Sequence, residues 1–168
     1  MKEAKKYIYI LRHCKSSWSD PKLADMDRPL NKRGRGDAPL MALVIKRMGY
    51  TPGLIITSPS MRTRLTIQPI IRAFDLTNDD VLIEPSIYHG SPVDYVNAIS
   101  MQDDQLSEIL LVGHNPAITY IANECIGDPI ENVPTGGLLV IRSATEQWSE
   151  FSFSKSHLVR YHFPKMYK

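Results

Sequence analysis

A chain of 168 residues, 43% hydrophobic and 23% charged, has the size and composition of one globular domain, expected to span 1–168. Its net charge of +2 excludes a strongly basic nucleic-acid-binding class, and its two cysteines make no disulfide framework. Residues 1–6 lack the apolar core of a signal peptide, and no run of about 18 or more apolar residues occurs, so the expectation is a soluble cytoplasmic protein with no membrane span.

The elements follow in chain order. Tyr7 to Leu11 is apolar on both parities, β-branched and aromatic, which predicts a strand buried on both faces. Ser16 to Asn31 is polar and holds two prolines, and predicts a surface loop. Asn31 is a candidate cap for a helix from about Gly36 to Met48, with Leu40, Leu43, Val44 and Met48 at helical spacing and Gly49 as its stop. Pro39 fits that helix only in its first turn.

Gly53 to Thr57 predicts a second strand, followed by a helix capped by Ser58 or Ser60 that runs through Phe74 across Pro69. Val81 to Ile83 predicts a third strand. Ser91-Pro92-Val93-Asp94 opens a helix to about Ser100, with a cap, proline at the first position and an acid in the first turn. Ile109 to Val112 predicts a fourth buried strand. Asn115-Pro116 then reads as cap plus first position of a helix to about Cys125. Gly136 to Arg142 and Trp148 to Ser154 read as two final strands. Alternating strands and helices predict a three-layer α/β/α sandwich with a mostly parallel sheet.

Three of these strands end on, or lead into, basic residues. Arg12 and His13 follow the first, Arg62 the second and His114 the fourth. In a parallel sheet these ends share the carboxyl edge, where ligands bind in open α/β sheets. Two arginines and two histidines at one edge suit a phosphoryl group. A guanidinium fork matches two of its oxygens, and a neutral imidazole can attack phosphorus and form a covalent intermediate. The attacking nitrogen must be unprotonated, with the proton of the other nitrogen held by an acceptor.

These blocks resemble the histidine phosphatase superfamily, also called phosphoglycerate mutase-like, and within it the SixA-type phosphohistidine phosphatases. Leu11-Arg12-His13-Cys14-Lys15-Ser16-Ser17-Trp18 looks like the Arg-His-Ala-Lys-Ser-Ser-Trp signature of that branch. Asp27-Arg28-Pro29-Leu30 with Lys32-Arg33-Gly34 resembles its next block. Ser58-Pro59 with Arg62 and Thr66 resembles the second arginine motif, Val112-Gly113-His114-Asn115-Pro116 the second histidine motif, and Phe163-Pro164-Lys165 the C-terminal ending. The resemblance implies that His13 accepts the phosphoryl group while Arg12, Arg62 and His114 bind its oxygens, with no metal or other cofactor. It also sets Ser19 where many relatives place a phosphate-binding asparagine.

Lys15 and Arg28 are further candidates for the substrate pocket, Arg28 alternatively as an anchor of the loop. Trp18 is expected either to pack beneath the pocket or to touch substrate. His89, His157 and His162 are expected on the surface or in packing. Cys14 is either one small residue replacing another or an oxidisable thiol beside two cations.

The expected gap is a general acid. Glu84 is the nearest carboxylate after the third strand, offset from where relatives place theirs, and Asp20, Asp25 and Asp27 are weaker candidates. Imidazole is a better leaving group than an alkoxide, because its conjugate acid has a pKa of about 6.5. The pattern therefore predicts a monomeric phosphatase for phosphohistidine in a protein. A small-molecule phosphomonoesterase is the main rival, and a non-catalytic phospho-ligand binding module a weaker one.

Overall fold

A computed structural model describes residues 5–168, so residues 1–4, most of the stretch read for a signal peptide, lie outside the described residues. β1 (Lys6–Arg12) runs through the middle of a six-stranded sheet. Its alternate residues serve two cores. Ile8 and Ile10 join a cluster on one face, and Tyr9 and Leu11 a cluster on the other. This double burial is why the strand is apolar on both parities.

β4 (Glu108–Gly113) flanks β1 in parallel, and β2 (Leu54–Thr57) and β3 (Val81–Ile83) continue the parallel set outward. On the other side β5 (Leu138–Ser143) and β6 (Ser156–His162) pair antiparallel. The order is β3-β2-β4-β1-β5-β6. The sheet is thus mixed, with four parallel strands and an antiparallel C-terminal pair.

Helices cover both faces. α1 (Lys32–Arg47) and α2 (Met61–Ala73) pack on the side of Tyr9 and Leu11, through Met41, Ile45, Ile67 and Ile70. α3 (Pro92–Ser100) and α4 (Ala117–Glu124) pack on the side of Ile8 and Ile10, through Tyr95, Ile99, Ile118 and Ile121. Among the described residues, no helix is long and apolar enough to cross a membrane.

Local chemistry sets the helix ends. The Asn31 side chain accepts from the Gly34 N–H, so α1 begins four residues before the expected Gly36. Its end is a left-handed turn at Gly49 (φ 78°), where the Gly49 and Tyr50 N–H groups reach back to the Lys46 and Ile45 carbonyls. Ser60 caps α2 through the Thr63 N–H. Asp94 reaches back to the Ser91 N–H at 2.8 Å to start α3.

The structure corrects the sequence reading in four places. Pro39 lies in the interior of α1, not its first turn, and is exposed, so the missing intrahelical bond falls on the water side. The buried stripe of α1 runs through Met41, Ala42, Val44 and Ile45, leaving Leu43 and Met48 exposed. Asn115 lies one residue outside the α4 cap, and its Oδ1 accepts from the Thr119 N–H and hydroxyl. Residues 148–154 form no strand. Two short 3₁₀ turns there sink Trp148, Phe151 and Phe153 into the α3–α4 core, with the Trp148 indole N–H donating to the Leu106 carbonyl, and the last strand is β6 instead.

The 16–31 loop is closed at its base. The Ser17 N–H donates to the Pro29 carbonyl at 2.8 Å, and the Asn31 N–H to the Lys15 carbonyl at 2.9 Å. Gly34 packs directly on that closure: a Cβ there would lie 2.2 Å from the Lys15 carbonyl oxygen. Gly34→Ala is therefore expected to destabilise the fold by about 1–3 kcal/mol, read from urea unfolding, whereas an unchanged midpoint would show that α1 can back away from β1 at no cost.

Candidate active site

The parallel register brings the site together. Arg12 pairs with Gly113 across β1 and β4, so the residues that follow, His13 and His114, leave the sheet side by side. The His13 N–H donates to the Gly113 carbonyl at 3.1 Å, and the two imidazole centroids lie 5.2 Å apart. β2 joins the same edge, the Ser58 N–H donating to the Val112 carbonyl, and α2 then delivers Arg62.

Each histidine is fixed by a specific contact. His13 Nδ1 lies 2.7 Å from the Cys14 carbonyl oxygen. A carbonyl only accepts, so Nδ1 carries the proton and Nε2 keeps its lone pair. Burial pushes the His13 pKa down to about 3, opposed by the bond to Cys14 and reinforced by the charges of Arg62, Arg12 and Arg28. His114 falls likewise to about 3, through burial first, then His13 and Arg62. Its Nε2 shares a hydrogen bond with Ser58 Oγ at 2.9 Å. Its backbone N–H donates to the buried Tyr95 hydroxyl at 3.0 Å.

The arginines are held by carbonyl, carboxylate and hydroxyl acceptors. Arg12 Nη1 donates to the Val133 carbonyl at 2.8 Å, while its buried Nε has no hydrogen-bond partner among the described residues. Arg62 donates through Nη1 to the Asp25 carbonyl and through Nη2 to Asp25 Oδ2, at 2.7 and 3.0 Å. Arg28 donates through Nη1 to Asp25 Oδ1 at 2.9 Å, through Nε to the Ser17 carbonyl, and through Nη2 to Ser16 Oγ. The Tyr88 hydroxyl donates to Asp25 Oδ2 at 2.5 Å. One carboxylate thus ties two arginines and a tyrosine together. The Tyr88 bond leads in holding the Asp25 pKa down at about 2, followed by Arg62 and Arg28 against a partial desolvation cost. Asp25 is ionised at neutral pH and is no proton donor in this arrangement.

Arg12, His13, Lys15, Ser16, Trp18, Arg28, Arg62 and Thr135 line a cavity of about 300 Å³. Four cations and no carboxylate form its wall, which suits a phosphoryl dianion. His114 opens onto a second cavity of about 280 Å³, lined also by Tyr88, His89, Pro116 and Tyr120.

The candidates named from sequence fall into two groups. Arg12, His13, Arg62, Lys15 and Arg28 share the first cavity, with His114 adjoining it. Ser19 and Glu84 do not line it. The Ser19 hydroxyl pairs with Ser17 Oγ on the exposed loop. Glu84 turns its carboxylate onto the Ser86 N–H and hydroxyl, at 3.1 and 2.8 Å, and caps the following turn.

Cys14 is fully buried and its thiol is pushed up to about 12 by burial, so the reading as an oxidisable thiol gives way to a small packing residue. Trp18 does not pack beneath the pocket. It is 73% exposed, with the Arg28 guanidinium 3.3 Å from its ring centroid. His162 hydrogen-bonds Tyr167 and Tyr50, while the His89 ring packs at a tilt against Tyr88 beside the second cavity.

Tyr88, Thr135 and Val133 were not named from sequence. Each reaches the site across the fold and carries no local motif.

Residues 8–88 match the family model of the histidine phosphatase superfamily, branch 1. An uncharacterized chloroplastic protein of Arabidopsis thaliana is 30% identical over 151 residues, 85% of this chain and 69% of its own length. A crystal structure from Agrobacterium tumefaciens, assigned to the phosphohistidine phosphatase SixA, superposes with a TM-score of 0.80 at 28% identity, covering 95% of this chain and 98% of its own. A structure of the protein histidine phosphatase SixA complexed with tungstate superposes with a TM-score of 0.80 at 18% identity, covering 96% and 99%.

Two outcomes test this geometry. Both histidines have folded pKa values near 3, below the unfolded value of about 6.5. As the pH falls through that window the unfolded chain takes up protons that the folded chain does not, so stability is lost from about 6.5 toward 3 and is unaffected by these groups above it. Urea midpoints are expected to drop between about pH 7 and 4.5, and less steeply in the His13→Asn variant. An equal slope in parent and variant would place the proton uptake elsewhere. Tyr95→Phe strands the buried His114 N–H, and is expected to cost about 1–3 kcal/mol in the same assay and to lower turnover. Full stability would mean that the N–H finds another acceptor.

Proposed function

We propose that this chain, which belongs to the histidine phosphatase superfamily, removes phosphate from phosphohistidine in a protein through a covalent intermediate on His13, without a metal. The observation that carries the reading is the His13 imidazole: its Nδ1 proton is donated to the Cys14 carbonyl, and its free Nε2 belongs to a residue lining a cavity walled by cations.

In the first step the Nε2 lone pair of His13 attacks phosphorus as the N–P bond of the donor breaks. The electron pair of that bond leaves on the donor's ring nitrogen, which departs as neutral imidazole when the ring enters protonated. Arg12, Arg62 and His114 hold the three phosphoryl oxygens. In the second step water attacks phosphorus, the His13 N–P bond breaks, and inorganic phosphate leaves with the neutral imidazole restored. Phosphoryl transfer needs mostly positioning and charge stabilisation, and these side chains supply both.

The choice of an N–P donor rests on the carboxylates. Glu84 caps a turn and Asp25 is ionised between two arginines, so neither of these two carboxylates is placed to supply a proton to an alkoxide. An imidazole leaving group needs less help.

The test compares turnover of a phosphohistidine peptide with a panel of sugar and nucleotide phosphates, alongside alkali-quenched mass spectrometry. The expected result is faster turnover of the peptide, phosphate trapped on His13, and a loss of about a thousandfold or more in His13→Ala. Faster turnover of sugar phosphates would make the protein a small-molecule phosphomonoesterase. Tight binding of the peptide without release of phosphate or labelling of His13 would make it a binding module.

A further inference from the structure

Trp18 is the residue at the mouth of the cationic cavity that the phosphoryl chemistry leaves without a task. It lines the cavity together with His13, yet it is 73% exposed while His13 is buried. One face of the indole is occupied. The Arg28 guanidinium carbon lies 3.3 Å from the ring centroid. Arg28 is itself buried and immobilised by the Ser17 carbonyl, Asp25 Oδ1 and Ser16 Oγ. A fixed cation thus lies over one face of the indole, and its exposure leaves the other face to solvent.

An aromatic ring pre-ordered in this way presents apolar area at little cost in conformational entropy. A solvated side chain has no need of such backing. In-line displacement fixes what lies beside it. His13 attacks from the buried end, so the leaving group departs on the opposite side of phosphorus, toward the mouth.

We propose that the free face of Trp18 is a subsite for a planar aromatic leaving group, the imidazole ring of the phosphohistidine donor, which stacks on it as the phosphoryl group enters among the arginines. This inference rests on the phosphohistidine reading above and adds the contact that distinguishes a ring from an aliphatic leaving group. Arg28 and Asp25 position the platform, and Trp18 touches the donor.

Two donors separate stacking from chemistry. A phosphohistidine peptide and phosphoramidate both carry an N–P bond, but only the peptide has a ring. Trp18→Ala, at an exposed position, is expected to lower kcat/KM for the peptide about three- to tenfold and to leave phosphoramidate unchanged. Trp18→Phe is expected to keep most of the parent rate on the peptide. An equal fall on both donors would assign Trp18 to holding Arg28 in place, and no fall on either would make it a solvated side chain. Both results overturn the subsite while leaving the phosphatase reading intact. Failure of the parent to turn over either donor would instead overturn the phosphohistidine reading itself, and the subsite with it.

Discussion

The parallel pairing of β1 with β4, in the register that sets Arg12 opposite Gly113, is the constraint on which the site depends. Two histidines 101 positions apart become neighbours because each is the first residue past the end of a paired strand. A slip of one residue would reverse every side chain on β1 and send the apolar set into the wrong core. The register is held by burial on both faces, with Ile8 and Ile10 on one side and Tyr9 and Leu11 on the other. The apolar core thus does the positioning for a polar reaction at its edge, and the His13 ring needs one further bond, to the Cys14 carbonyl, to define its tautomer.

Around that fixed pair the cations are organised by Asp25. Two guanidinium groups that would repel one another share its carboxylate, and the Tyr88 hydroxyl completes it. The loop that carries Asp25 is closed at its base by backbone bonds and pinned against Gly34 of α1. Strand ends, the 16–31 loop and the α1 entrance therefore form one mechanical unit. Arg62 and Arg28 thereby turn donors onto the loop, while Arg12 turns one onto the Val133 carbonyl.

Much of this was legible in the sequence. The strand ends at Arg12-His13 and His114, the Asn31 and Ser60 caps and the turn at Gly49 are local features, encoded within a few residues of where they act. What escaped was tertiary. Leu43 and Met48 have helical spacing, but the face that meets the sheet core is the one carrying Met41, Ala42, Val44 and Ile45. The run from Trp148 to Phe153 is rich in aromatics, which read as a strand, yet all three are buried in the core beside α3, with the chain folded into short turns. Asp25 gave no sign of its partner because Arg62 is brought to it by a fold, not by a spacing, and Glu84, the nearer carboxylate in sequence, is spent on capping.

The central claim is that His13 Nε2 attacks phosphorus held by Arg12, Arg62 and His114. A crystal structure with vanadate tests it most directly. The account predicts vanadium bonded to His13 Nε2, with its oxygens within hydrogen-bond reach of both arginines and of His114. Vanadate bonded to His114 instead, or seated away from these four side chains, would contradict it.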